Sequence, residues 1–392
     1  MNGDNMKNSK KQKKYNYNTV AVHGKSSFDP LTGAVSTPIY QSATFRHPKL
    51  YESTGYDYSR LQNPTREAAE NAISLLENGK EALAFSSGMA AVSTVIKLFK
   101  SGDSIIVSDD LYGGIYRIFE SIYSVYGIKA IYTDTTSIQN IENAYSPSVK
   151  AIFLESPTNP TMKISNIRKI SEFSKEKNIL TIVDNTFLTS YFQKPLDLGA
   201  DIVIYSGTKY LAGHNDTLAG FIVSSNDDII ENLRLIQKSE GAVLSPFDSW
   251  LVLRGLKTLP LRMDRINSNT QKIAEFLNNH SAIKKIYYPG LPSHKGHELL
   301  KTQSTGFGGI ISFEVESAAK VEKILENVEL IMFAESLGGT ETLITYPMVQ
   351  THNAIPEEIR NKIGVNDRLL RLSVGIENVD DLVDDLDFAL SI

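Results

Sequence analysis

Ala200-Asp201-Ile202-Val203-Ile204-Tyr205-Ser206-Gly207-Thr208-Lys209-Tyr210 decides the fold. The apolar, β-branched run over 200–204 reads as a buried strand of an α/β sheet. Two hydroxyl residues, a glycine and a lysine follow at once. Most lysines decorate solvated helix faces. Lys209 instead emerges where open α/β sheets bind their ligands, at the carboxyl ends of the strands. A lysine amine in a partly desolvated pocket gives up its charge readily and can bond covalently to a carbonyl carbon. Ser206 and Thr208 are placed to hold a phosphate beside it.

Working outward, residues 104–107, 151–154 and 180–183 are further strand-like runs, each ending in polar or small residues. From about 80 to 225 such runs alternate with helical patterns, which predicts an α/β domain with a mostly parallel sheet. If the strands are parallel neighbours, three tips share one crevice: Glu155-Ser156-Pro157-Thr158-Asn159-Pro160, Asp184-Asn185-Thr186 and Ser206-Gly207-Thr208-Lys209. Upstream, Asn63 is a good N-cap and Pro64 suits the first helical position; Ala69, Ala72, Ile73 and Leu76 recur at helical spacing before the stop at Asn78-Gly79. Beyond residue 250 the texture mixes helical stretches such as 318–327 with short strands such as 309–313. The expected division is an N-terminal extension and intersubunit arm over 1–60, a large α/β domain over 61–250 and a smaller C-terminal α+β domain over 251–392. The arm, with Asp29-Pro30, Thr32-Gly33, Pro38 and Gly55, has little helical periodicity and is expected to be extended. No internal repeat or low-complexity core segment is present.

The bulk properties narrow the function classes. The chain has 392 residues, 41% hydrophobic and 22% charged, with a net charge of −5 and no cysteine. That is the composition of a soluble globular protein. A negative balance gives nucleic-acid binding no global support. Disulfide scaffolds and thiolate chemistry are excluded, and no apolar stretch is long enough to span a bilayer. Residues 1–14 carry five lysines and lack the apolar centre of a secretory signal, so they read as a disordered tail, with Met6 an alternative start. The expected location is cytoplasmic.

The lysine, the phosphate donors and the α/β crevice together point to pyridoxal phosphate. That cofactor works as an electron sink, sharpened by a carboxylate that keeps its pyridine nitrogen protonated. Asp184 either does this or caps its own loop. Ser86-Ser87-Gly88-Met89-Ala90-Ala91 resembles a turn opening into a helix, whose free N–H groups and dipole favour phosphate. In Tyr112-Gly113-Gly114 the ring either lies over a planar group or packs in an ordinary turn. Arg371, inside Leu369-Leu370-Arg371-Leu372, either grips a substrate carboxylate or forms a structural salt bridge. Three decoys fail. His23-Gly24-Lys25-Ser26 lacks the first glycine of a P-loop, since Thr19 occupies that place. His214-Asn215-Asp216 belongs to no metal-ligand spacing, and no metal is expected. No dinucleotide glycine fingerprint follows the strands.

Taken together, these motifs resemble the pyridoxal-phosphate enzymes of cysteine and methionine metabolism, the trans-sulfuration enzymes, from about Thr19 to Leu386. The likeness rests on Tyr56-Asp57-Tyr58-Ser59-Arg60, Asn63-Pro64-Thr65-Arg66, Ser87-Gly88-Met89, Asp110-Leu111-Tyr112-Gly113-Gly114 and residues 155–160. It continues through Val183-Asp184-Asn185-Thr186, Thr208-Lys209-Tyr210, Arg254-Gly255-Leu256-Lys257-Thr258-Leu259, Ser336-Leu337-Gly338-Gly339 and residues 371–377. The resemblance implies the fold of the PLP-dependent transferases (fold type I). It implies Lys209 as Schiff-base lysine and proton shuttle, Asp184 as pyridinium partner and Tyr112 as stacking ring. Gly88, Met89, Ser206 and Thr208 become phosphate ligands, and Tyr58 and Arg60 the pair an arm delivers to the neighbouring subunit's phosphate. Asn159, Ser336 and Arg371 become the substrate-carboxylate site. A homo-oligomer follows, usually a tetramer built from dimers, acting on small amino-acid substrates. Gly207 departs from the alanine common in the family, a small change.

Within the family, Glu335 is the discriminator. A carboxylate at the pocket rim attracts the ammonium of incoming cysteine or the distal amine of cystathionine, and glutamate here resembles γ-synthases and γ-lyases. Gly114 differs from the cysteine typical of methionine γ-lyases. Ile344-Thr345-Tyr346-Pro347-Met348-Val349-Gln350-Thr351-His352 resembles bacterial γ-synthases that also accept sulfide with O-acetylhomoserine. The reading is γ-replacement on an acylated homoserine by cysteine. The alternatives are a cystathionine β- or γ-lyase and, from another class, a cofactor-binding regulatory module with little catalysis, which lacks the DNA-binding segment it would need.

Overall fold

In the computed structural model, which describes residues 15–25 and 28–392, seven strands form the larger sheet. They are β1 Glu81–Phe85, β2 Ser104–Ser108, β3 Lys129–Thr133, β4 Val149–Glu155, β5 Leu180–Asp184, β6 Ile202–Ser206 and β7 Gly220–Ser224, in the order β1-β7-β6-β5-β4-β2-β3. The five from β6 to β3 run parallel, while β7 is antiparallel to both of its neighbours, β6 and β1. The mostly parallel sheet expected from the sequence is therefore present. The basic segment 1–14, with its Met6 start, and Ser26 of the P-loop decoy lie outside the described residues.

Both faces of the sheet are covered, which is why its central strands read as near-continuous apolar runs rather than alternating ones. Ile182, Ile202, Ile204 and Ile222 point into one core, and Val183, Val203, Tyr205 and Val223 into the other. Helix Pro64–Glu77 covers the second face with Ala69, Ala72, Ile73 and Leu76. It starts as expected: the Asn63 side chain accepts from the N–H groups of Thr65 and Arg66, at 3.0 and 3.3 Å, and Asn78 ends it in the left-handed conformation. Helix Gly88–Ile96 covers the first face through Ala91, Val92, Val95 and Ile96.

A second sheet combines β8 Lys285–Tyr287, β9 Ile310–Glu314, β10 Met332–Phe333, β11 Leu343–Thr345 and β12 Leu369–Ser373, in the order β10-β11-β12-β9-β8. It shares a core with helices Leu259–Asn279, Ala318–Asn327 and Val379–Ser391. This sheet carries Arg371 on β12, opposite Thr345 of β11, and presents Ser336 just after β10. No helix among the described residues is long and apolar enough to cross a membrane.

The arm departs from expectation at its start. Residues 28–60 hold only the isolated bridge between Thr44 and Tyr58. Ahead of them a short helix, Tyr17–His23, packs Tyr17, Val20 and Ala21 on the core, and the Tyr17 hydroxyl meets Ser190 Oγ at 2.8 Å. Three apolar contacts at helical spacing are too short a signal to stand out in the sequence.

Candidate active site

The tips of β4, β5 and β6 lie side by side and in register. Glu155 stands opposite Asp184, and Asp184 opposite Ile204. They open on a cavity of about 250 Å³ between the two sheets' strand ends. Gly88, Met89, Tyr112, Asn159, Asp184, Ser206, Thr208, Lys209, Glu335, Ser336 and Arg371 all line it. Tyr58 and Arg60 do not. They sit exposed on the arm, with the Arg60 guanidinium 5.6 Å from the Tyr58 ring centre and donating to the Lys238 carbonyl.

Lys209 Nζ donates to Ser336 Oγ at 2.8 Å, joining the two sheets across the cavity. Burial lowers its pKa to about 8; the Arg371 charge pushes the same way and Glu335 opposes both. Arg371 is almost fully buried. Its guanidinium donates to Asn159 Oδ1 (3.0 Å), the Ser336 carbonyl (3.0 Å) and Thr345 Oγ1 (3.1 Å), while Nε has no partner. Among the described residues no carboxylate pairs with it, so the structural salt bridge considered above is not formed. Burial lowers its pKa to about 10.

Asp184 does cap its own turn: Oδ1 accepts from the Thr186 N–H (3.0 Å) and hydroxyl (2.6 Å). It also faces the cavity, has no cationic partner among the described residues, and is raised above the usual carboxylate range by burial. Glu155 is raised much further, first by burial and then by Asp184 beside it. It accepts the Tyr112 N–H at 3.1 Å and so fixes the turn that carries the ring. Gly114 leaves room for that ring, since a Cβ there would stand 2.4 Å from Tyr112 Cε1.

At the other end of the cavity, Ser87 caps helix Gly88–Ile96 by accepting the Ala90 N–H at 3.1 Å. This end is close-packed: a Cβ on Gly88 would meet Ser206 Cβ at 2.9 Å, and one on Gly220 the Ser87 carbonyl at 2.1 Å. Thr208 Oγ1 is held by Ala219, donating to its carbonyl at 3.3 Å and accepting its N–H at 3.0 Å. Gly207 is less innocent than the sequence comparison implied. A methyl there would lie 2.7 Å from the Phe221 ring and 2.9 Å from Ala219 Cβ.

Several contributors were missed at the sequence level. Glu155, Thr186 and Thr351 line the cavity. Glu155 stands at a strand tip in the sequence, but its register with Asp184 appears only in the folded sheet. Asp110, buried, accepts from the hydroxyls of Thr158 and Thr161 and the Thr161 N–H, which fixes the loop bearing Asn159. Behind the tips, Tyr205 donates to Glu77, Asn185 Nδ2 to the Tyr205 hydroxyl (3.0 Å), and Gln193 Nε2 to Asn185 Oδ1 (3.0 Å) and the Ser156 carbonyl (2.9 Å). That buried chain braces residues adjacent to Ser206, Asp184 and Glu155. The His214 ring bonds the Ala212 carbonyl at 2.7 Å as part of a turn, and no group of three or more metal-binding side chains exists among the described residues.

A weakly basic buried lysine, a helix start packed against hydroxyl-bearing strand ends, and a cavity-facing carboxylate with no cation fit pyridoxal phosphate. The fold is that of the PLP-dependent transferases: a solved cystathionine gamma-lyase of Lactobacillus plantarum superposes with a TM-score of 0.94 at 43% identity, covering 96% of this chain and 99% of its own. Residues 18–391 match the Cys/Met metabolism PLP-dependent enzyme family, and the chain belongs to it. Three relatives differ in activity but not in distance. A cystathionine gamma-lyase of Bacillus subtilis is 49% identical over 95% of this chain and 98% of its own. A cystathionine beta-lyase of Lactococcus lactis is 47% identical over the same shares. A cystathionine gamma-synthase/O-acetylhomoserine (thiol)-lyase of B. subtilis is 50% identical over 92% of this chain and 93% of its own. The protein is a pyridoxal-phosphate-dependent trans-sulfuration enzyme.

Proposed function

We propose that the protein is a cystathionine γ-synthase, replacing the γ-acyloxy group of an O-acyl-L-homoserine with the thiol of cysteine, and taking sulfide as a second sulfur nucleophile. The observation that carries this is Glu335: exposed, on the cavity rim, one residue from Ser336, and close enough for its charge to bear on Lys209 and Arg371. A carboxylate there draws in an ammonium-bearing second substrate.

Pyridoxal phosphate, when bound, supplies the electron sink that makes the substrate's α- and β-protons removable. The chain's own residues do the rest. Arg371 and Asn159 hold the substrate carboxylate, which fixes the Cα–H bond relative to Lys209. Lys209 Nζ takes and returns protons; a pKa near 8 leaves a useful fraction as free amine at neutral pH. Its hydrogen bond to Ser336 aims it between the two sheets. Tyr112 covers the planar group, and Glu155 holds the Tyr112 backbone. Gly88, Met89, Ser206 and Thr208 hold phosphate. Tyr58 and Arg60, outside this chain's cavity, serve the cavity of a neighbouring subunit in a homotetramer built from dimers. The division into an arm over 1–60 and domains over 61–250 and 251–392 belongs to the same reading.

The alternative is cleavage of L-cystathionine, whose distal ammonium Glu335 would also draw in; the resemblance of residues 344–352 to γ-synthases is what turns the reading towards replacement. A product assay separates the two. Cofactor-loaded enzyme with O-acetyl-L-homoserine and cysteine is expected to form cystathionine rapidly, and homocysteine when sulfide replaces cysteine. Little product there, with fast homocysteine and pyruvate from cystathionine alone, identifies a β-lyase. Cysteine and 2-oxobutyrate identify a γ-lyase.

A further inference from the structure

His352 is fully buried, and its ring reaches two loops that lie far from it in sequence. Its Nε2 reaches two backbone carbonyls at 3.1 Å each: that of Leu111, directly before Tyr112, and that of Asn159. Carbonyls only accept, so Nε2 carries the proton, shared between them. Nδ1 is then the acceptor for the Thr351 hydroxyl, at 2.7 Å. A second observation is independent of the ring. The backbone of 351–352 presses on the Tyr112 turn so closely that a Cβ on Gly113 would stand 2.1 Å from the Thr351 carbonyl oxygen and 3.3 Å from His352 Cα. Thr351 itself lines the cavity.

We propose that His352 is a positioning residue for the substrate site: one shared N–H sets the Tyr112 turn and the Asn159 loop at a fixed spacing. This deepens the function proposed above and rests on its reading of Asn159, Arg371 and Tyr112. Asn159 is the residue whose side chain meets Arg371, so moving its backbone moves the carboxylate grip. The neutral ring is what the site requires, and burial, which lowers the His352 pKa to about 4, keeps it neutral across the working pH range.

Three variants of the holoenzyme test this: His352→Leu removes the donor, His352→Gln keeps a side-chain N–H, and Gly113→Ala displaces the 351–352 backbone without touching the ring. Two readouts are used, the KM for O-acetyl-L-homoserine and the dissociation constant of glycine, a non-reacting amino acid, read from the cofactor's absorbance. His352→Leu and Gly113→Ala are expected to weaken both by about 10-fold or more, with kcat reduced less and the cofactor band retained. His352→Gln is expected within about 3-fold of the parent. Glycine binding within 2-fold of the parent in Gly113→Ala, or no recovery in His352→Gln relative to His352→Leu, overturns the proposal. Should His352→Leu fail to fold, the other two variants still decide. Arg371→Met is the control for the underlying reading: unchanged glycine binding there means the carboxylate assignment is wrong. A loss there beside parental binding in Gly113→Ala means His352 alone is misread.

Discussion

Two buried arginines flank the Lys209 segment, and they are built differently. Arg262, on helix Leu259–Asn279, spends every nitrogen. It donates to the carbonyls of Tyr210 (2.7 Å), Gly255 (2.8 Å) and Leu211 (3.4 Å) and to the Thr258 hydroxyl (3.2 Å). The chain folds around it so tightly that a Cβ on Gly213, which has φ +72°, would lie 1.9 Å from its Nη1. Arg371 is as deeply buried, lines the cavity and leaves Nε without a partner. Burial lowers both to about pKa 10. A buried cation whose every nitrogen is taken, here by three backbone carbonyls and one hydroxyl, fixes structure, including the two residues after Lys209. One held by a few neutral groups, with Nε unpartnered beside a cavity, is the group that the proposed function assigns to the substrate carboxylate.

The largest effect should come from the residue between them. Lys209→Ala is expected to cut kcat by about 10⁴-fold, the upper range for a positioned acid–base group, and to abolish the absorbance band of the lysine-bound cofactor. Activity within 10-fold of the parent would refute its role.

The arginine pair should then show opposite phenotypes. Arg371→Met is expected to lower kcat/KM on the order of 100-fold, mainly through KM, with unfolding free energy within about 1 kcal/mol of the parent. Arg262→Met leaves several carbonyls buried without donors and is expected to cost about 3 kcal/mol in denaturant unfolding, with KM for substrate much less affected. Equal stability losses in the two would break the comparison.

Gly207→Ala tests the ground next to Arg262's territory. The methyl meets Phe221 and Ala219, so a loss of about 1–3 kcal/mol is expected from overpacking. A neutral or stabilising result would show that Phe221 yields.

The smallest effect is one of pH. The pKa of Lys209 is lowered by burial, so its free amine, the form that bonds to a carbonyl, appears as pH rises through about 8 rather than 10.5. The rate at which apo-protein captures pyridoxal phosphate should therefore rise with pH and level off above 8. Arg371→Met removes a positive neighbour that adds to the lowering, so the midpoint should move upward in that variant.

How much of this was legible in the sequence follows from the range of the forces involved. The strands at 104–107, 151–154, 180–183 and 201–204 were readable because strands buried on both faces are apolar at nearly every position. The helix start at Asn63-Pro64 was readable because capping is local. The antiparallel edge of β7 and β1 was not, because pairing direction leaves no trace in composition. At the site, Lys209, Asp184 and Ser206 could be placed together by reasoning about strand tips alone. Asn159 with Arg371, and Lys209 with Ser336, meet across 212 and 127 residues, and only the family resemblance brought them to one pocket. His352 carried no local signal, since its partners come from loops 241 and 193 residues away.

In the proposed function Lys209, and no other lysine, is the residue to which the cofactor is joined. Borohydride reduction of the loaded enzyme locks the cofactor onto its lysine, and peptide mass mapping then locates it. A single modified peptide containing Ser206-Gly207-Thr208-Lys209-Tyr210 is expected. Label on a different lysine, or none at all in enzyme that retains its cofactor band, would contradict it.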